Sequence, residues 1–152
     1  MKGSSDLHWT EYYDSLSLLE LHALERESPR DVNLLVRIGM RYFKSHELKK
    51  CYGYYSRALE IEPDNGWTHL FFGNLCYAVS TYDEAESHFS RAIELLPDVA
   101  CPQWCLGDAL KAQGYISRTE YHYRRAVEID PDDATAQKKL QKWLADNGSN
   151  TA

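Results

Sequence analysis

A period of 34 residues governs this chain: Pro63, Pro97 and Pro131 are spaced by that length. Each closes a segment of similar ending, Ala58-Leu-Glu-Ile-Glu-Pro, Ala92-Ile-Glu-Leu-Leu-Pro and Ala126-Val-Glu-Ile-Asp-Pro, and Pro29 stands one further period upstream. Gly39, Gly73 and Gly107 keep the same interval. A glycine inside a helix costs roughly 1 kcal/mol relative to alanine, so three of them in register imply a steric demand. They mark where two helices touch. Small residues recur at matching places further on, first Cys51, Ala85 and Thr119, then Ala58, Ala92 and Ala126. Between them sits one ring each time, Tyr55, Phe89 or Tyr123.

Within one period the pattern is helical twice. Trp67 to Ala78 and Tyr82 to Leu95 are each apolar at i, i+3, i+4 spacing, joined by the short polar link Val79-Ser80-Thr81 and stopped by Pro97. Helices joined so tightly lie antiparallel. One such hairpin cannot bury both of its apolar faces, so it needs neighbours, and the period supplies them.

The pattern large-x-x-Leu-Gly-x-x-Tyr, then Ala-x-x-x-Phe, Ala and Pro, resembles the tetratricopeptide repeat. The opening large position holds Leu35, His69 and Gln103, and the tyrosine position Tyr42, Cys76 and Leu110, which are mild departures. The resemblance implies an all-α fold, a right-handed superhelical solenoid with repeats at 32–65, 66–99 and 100–133, about two thirds of the chain. Pentatricopeptide repeats, which read RNA, have nearly the same period. The glycine and proline registers favour the protein-binding family.

Composition narrows the partners. The net charge of −6 argues against duplex nucleic acid and against an anionic membrane surface, both of which reward a basic face. No apolar run approaches the roughly 20 residues of a membrane helix, and Met1-Lys-Gly-Ser-Ser-Asp lacks a signal-peptide core. The chain reads as cytoplasmic. Cys51 and Cys76 fall on inward positions and no disulfide-dense framework appears, so all four cysteines are expected as thiols.

The flanks read as caps. Residues 1–31 form an N-terminal cap or degenerate half-repeat: Asp14 to Glu27 is its second helix, with Leu18, Leu21 and Leu24 on one face, and Asp6 to Tyr13 its first. His8, Trp9, Tyr12 and Tyr13 then cover the exposed end of the stack. The alternative is that they meet another protein, or a second copy of the chain in a homo-oligomer. After the third repeat, Asp132 or Asp133 caps a helix over 134–146 that docks through Leu140, Trp143 and Leu144. The tail 147–152 is polar and expected to be disordered, and the chain reads as a complete module.

In a stack of this kind the first helix of each hairpin lines the concave face. The register places Asn33, Val36, Met40, Phe43 and Lys44 there from the first repeat, and Trp67, Leu70, Asn74, Tyr77 and Ala78 from the second. The third contributes Cys101, Trp104, Asp108, Lys111 and Ala112, and the capping helix Thr135, Lys138 and Lys142. Helix faces that meet only water are normally Lys, Glu, Gln or Ala. This one carries Met40, Phe43, Trp67, Tyr77 and Trp104, edged by lysines, and so predicts a groove that buries apolar anchors and meets acidic groups at its rim. Asn74 is placed to clamp a peptide backbone. Val36 and Leu70 are expected to pack inward, and Trp67 and Trp104 can pack on the next layer instead of lining the groove.

Repeat domains that hold the Glu-Glu-Val-Asp tails of heat-shock chaperones use a carboxylate clamp of lysine, asparagine and arginine. The matching positions here are Val36, Met40, Phe71, Cys101 and Cys105, so that clamp is absent. The small repeat chaperones of type III secretion resemble this chain in size and acidity, and they stand as a minor alternative. For an enzyme, Cys101 and Cys105 beside His69 are the place to look, with Pro102 setting Cys101 at a helix N-terminus. No fourth metal ligand, Cys-x-x-Cys, phosphate loop or paired-carboxylate motif accompanies them. His88 and His122 recur one period apart and read as structural. The sequence thus predicts a non-catalytic module that binds a peptide of a partner protein, without cofactor, metal, nucleic acid or membrane.

Overall fold

The computed structural model describes residues 12–148, which fall into two compact units divided between Asp64 and Asn65. The first unit holds α1 (Leu18–Glu27), α2 (Val32–Lys44) and α3 (Leu48–Ile61). The second holds α4 (Gly66–Ala78), α5 (Tyr82–Leu95), α6 (Cys101–Ala112), α7 (Ile116–Ile129) and α8 (Ala134–Asn147). Among the described residues no strand occurs, and no helix is long and apolar enough to cross a membrane. The fold is all-α: the pairs α2–α3, α4–α5 and α6–α7 are antiparallel hairpins, with α1 before them and α8 after.

The glycine period has the steric origin expected of it. A Cβ on Gly39 would lie 2.5 Å from Tyr55 Cε1, one on Gly73 2.5 Å from Phe89 Cε1, and one on Gly107 2.6 Å from Tyr123 Cε1. Each first helix is notched by its glycine, and the ring of its own second helix fills the notch. Tyr55, Phe89 and Tyr123 are buried there among Cys51, Ala58, Ala85, Ala92, Thr119 and Ala126.

The period also reaches the caps and turns. Asp31, Asn65 and Asp133 cap α2, α4 and α8 by accepting from the backbone N–H of Leu34, Thr68 and both Thr135 and Ala136. Val99 holds the slot between Asn65 and Asp133 and has no acceptor to offer. There α6 starts one residue later, at Cys101, with Pro102 in its first turn. Each hairpin turn passes through one left-handed residue, His46 (φ 61°), Ser80 (φ 64°) and Gly114 (φ 82°). Only the last is the residue type that adopts this conformation without strain.

The N-terminal segment corrects the expected helix over 14–27. Ser17 interrupts it: its hydroxyl accepts from Glu20 N–H while the Glu20 carboxylate takes the Ser17 N–H at 2.8 Å, so α1 begins at Leu18. Asp14 lies in a separate helical turn at 12–15 and accepts from Arg37 at 2.9 Å. Arg41 donates to the carbonyls of Asp14 and Leu16 at 2.7 and 2.9 Å. Leu21 is fully buried, and Leu18 and Leu24 are half-buried beside it. Of the predicted aromatic end, Tyr13 is buried with its hydroxyl on Asp31 and Tyr12 is exposed; His8, Trp9 and most of the expected helix 6–13 lie outside the described residues.

At the other end Asp133 is the cap and α8 runs to Asn147, one residue into the predicted tail, where the Asn147 side chain donates to the Trp143 carbonyl at 2.9 Å. The tail beyond Gly148 lies outside the described residues. Trp143 is buried edge-on to Tyr123, Leu140 is half-buried and Leu144 stays exposed.

Candidate functional site

In the second unit the first helices run side by side, α4 touching α6 and α6 touching α8, while the second helices α5 and α7 meet through the Arg118–Glu86 ion pair. The layers are closest on the first-helix side, which makes it the inner face of this unit. Trp67, Leu70, Asn74 and Tyr77 share that face of α4 by their spacing. Leu70 is buried, whereas Trp67 is 48% and Tyr77 39% exposed. The Trp67 ring stacks on Phe71 of the same helix at 6.5 Å, and Tyr77 leans on Tyr82 of α5 at 5.7 Å.

Asn74 lies between them, half-buried, with no hydrogen-bond partner among the described residues. The next repeat shows why. Its equivalent of Asn74 is Asp108, whose Oδ1 accepts from the Tyr123 hydroxyl at 2.6 Å. The ring equivalent to Tyr123 in the second repeat is Phe89, which has no hydroxyl to offer.

On α6 two of the predicted site residues, Trp104 and Asp108, are spent inside the unit. Asp108 accepts from Lys139 as well, at 2.6 Å. Trp104 packs on Ala100, Ala126 and Ala136, donates from Nε1 to Asp133 at 3.1 Å, and carries the Lys139 ammonium 5.0 Å from its ring centroid. Lys111 is exposed, with its ammonium 5.8 Å from the Trp143 ring, and on α8 Thr135, Lys138 and Lys142 are exposed. Lys139, absent from the predicted face, is the α8 lysine that reaches α6. Nothing in the register singles it out, because one position on a helix moves a side chain by about 100°.

In the first unit, α2 presents Asn33 and Lys44 to solvent, half-buries Met40 and Phe43, and buries Val36. The Met40 sulfur lies 4.0 Å from Arg37 Nη1.

The paired histidine positions are structural contacts within hairpins. His88 Nδ1 is 3.0 Å from His69 Nδ1 and its ring stacks on Phe72 at 4.4 Å; one period later His122 Nδ1 is 2.8 Å from Gln103 Oε1. Burial holds both pKa values below the ordinary histidine range, helped by the neighbouring His69 at His88 and by Arg118 at His122. Above about pH 6.5 both rings are neutral folded and unfolded, so they leave stability unchanged. Below it the unfolded chain takes up protons that the folded chain resists, so stability falls with pH until the folded rings also protonate. Urea midpoints should therefore drop between about pH 7 and pH 5, and His88→Gln with His122→Gln should flatten that slope.

All four cysteines are free thiols. Burial pushes Cys51 up to about 11. Cys101 Sγ lies 3.9 Å from Cys105 Sγ; the hydrogen bond between them lowers the Cys101 pKa and, together with burial, raises that of Cys105. His69, turned to His88, is no part of that pair. Among the described residues no three His, Cys, Asp or Glu side chains gather to hold a metal.

No protein-family model and no curated protein matches the sequence. Solved structures do. The first domain of Spaghetti (RPAP3) bound to the HSP90 peptide SRMEEVD superposes with a TM-score of 0.70 at 20% identity, over 76% of this chain and 91% of that one. MamA gives 0.75 at 15%, over 97% and 86%. YrrB, a tetratricopeptide-repeat protein with an unusual peptide-binding site, gives 0.74 at 20%, over 88% and 69%. The chain has the tetratricopeptide-repeat fold. Val36 and Cys105 are buried, and Met40, Phe71 and Cys101 half-buried, at the positions compared above with a carboxylate clamp.

Proposed function

We propose that this chain is a non-catalytic, cytoplasmic protein-interaction module that holds a peptide segment of a partner protein against the first-helix face of its repeats. The observation that carries the reading is the α4 face, where the exposed rings of Trp67 and Tyr77 flank an amide, Asn74, that nothing within the described fold satisfies. Rings of this size bury apolar anchors at low entropic cost, and an asparagine both accepts from and donates to a peptide backbone. Lys111, Lys138 and Lys142 place positive charge on the neighbouring helices and favour acidic residues in the ligand. Peptide-bound RPAP3, and YrrB with its unusual peptide-binding site, lend support by fold. Without clamp residues, the ligand is defined by apolar side chains and not by a terminal carboxylate. Met40, Phe43 and Lys44 form the corresponding stripe of the first unit, and Trp104 and Asp108 serve by shaping the α6 side.

The test is selection of a displayed random-peptide library on the intact chain, followed by affinity measurement of the enriched peptides on variants. Trp67→Ala and Tyr77→Ala should each weaken binding about 30-fold, the scale of a hot-spot truncation near 2 kcal/mol, while leaving stability within about 0.5 kcal/mol. Phe89→Tyr should weaken it about 10-fold by giving Asn74 an internal hydroxyl partner. Enriched peptides that bind all three variants as tightly as the intact chain would remove the α4 face as the site.

A further inference from the structure

The dithiol on α6 is not used by the peptide reading. Cys101 and Cys105 lie one helical turn apart on the face that also carries Trp104 and Asp108, and that face is pinned to α8 by the Trp104–Asp133 and Lys139–Asp108 bonds. Their sulfurs are 3.9 Å apart, with Cys105 buried and Cys101 half-buried.

Two sulfurs so placed can be joined in two ways. A disulfide needs Cβ atoms about 3.5–4.5 Å apart, whereas positions four apart on a helix hold them at about 5–6 Å, so closing that bond would unwind the first turn of α6. A single ion between the sulfurs needs no such movement. At metal–thiolate bonds of about 2.3 Å a linear two-coordinate centre spans about 4.6 Å, so side-chain rotation that opens the 3.9 Å gap by less than about 1 Å seats one ion between the sulfurs.

Ligand count decides the class of ion. No third His, Cys, Asp or Glu joins the pair among the described residues, which leaves zinc short of the four ligands of its structural sites. Soft thiolates select Cu(I), which tolerates low coordination. We propose that Cys101 and Cys105 form a two-sulfur site for one soft monovalent cation of the Cu(I) class. Two thiols bind one Cu(I) and release two protons, with no change of oxidation state. The half-buried edge at Cys101 is the entry side.

The experiment is anaerobic titration of the full chain with Cu(I) supplied as a competing chromophoric chelate, read by chelate absorbance and by native mass spectrometry. The expected result is one copper per chain, with a mass gain of one copper less two protons. Cys101→Ser and Cys105→Ser, checked for retained helicity, should each lower affinity at least 100-fold. Cys51→Ala with Cys76→Ala, which removes the other two thiols, should leave it unchanged. Copper bound equally well by the two serine variants, or lost with Cys51 and Cys76 alone, would overturn the assignment. So would failure of the intact chain to compete with the chelate.

Discussion

Phe89→Ala is expected to destabilise the chain by about 3–5 kcal/mol, the range for deleting a fully buried aromatic side chain from a core. The Phe89 ring is 1% exposed and fills the notch left by Gly73, so its removal opens a cavity between α4 and α5 that small neighbours cannot refill. Ala85 and Ala92 flank it and have no side chain to extend. Urea denaturation should show the midpoint falling sharply, and thermal unfolding a drop on the order of 10 °C. Phe89→Leu keeps most of the volume and should cost about 1.5 kcal/mol or less. A loss for Phe89→Ala as small as that of the leucine variant would mean that the hairpin relaxes around the gap.

Gly73→Ala is the complementary result. Alanine for glycine in a helix interior ordinarily gains about 1 kcal/mol. Here the new methyl would lie 2.5 Å from Phe89 Cε1 and 2.6 Å from Cδ1, and a ring buried on all sides has nowhere to retreat. Overpacking of this kind costs about 1–3 kcal/mol, so the net effect should be destabilising despite the helix propensity. Gly53 supplies the control: it lies in α3 with nothing within 4 Å of a built Cβ, and Gly53→Ala should stabilise by about 0.5–1 kcal/mol. The same substitution is thus expected to change sign between two helices. Combining Gly73→Ala with Phe89→Leu should recover part of the loss, because the pair shares one space and cannot be additive.

These two variants concern the part of the molecule that was most legible from the chain alone. The glycine period, the ring period and the prolines announce a repeated hairpin, because each reports a contact made within some 20 residues and repeated each time. Where local chemistry competes with the period, the reading shifted. Ser17 with Glu20 starts α1 later than the apolar pattern implies, and Val99 delays α6, since a cap is decided by one side chain and not by a stripe. The left-handed turns at His46 and Ser80 carried no signal in residue type; only Gly114 did.

The candidate site was legible to a lesser depth. Helical spacing was enough to bring Trp67, Asn74 and Tyr77 to one face and to set Val36 and Leu70 inward. It had no means of showing that Asp108 is consumed by Tyr123 and Lys139, or that Trp104 is held by Asp133. Those partners stand 15, 31 and 29 residues away, on α7, on α8 and at the cap of α8.

The sequence by itself determined the helices, their pairing into hairpins and the ring that seats in each glycine notch, because all three follow from short-range sterics and a period that any one repeat displays. Only the tertiary structure decided which polar side chains on the inner face find a partner on another helix. Asn74 is open and Asp108 closed for one reason: position 89 is a phenylalanine and position 123 a tyrosine, and a single hydroxyl reaching between helices settles the difference.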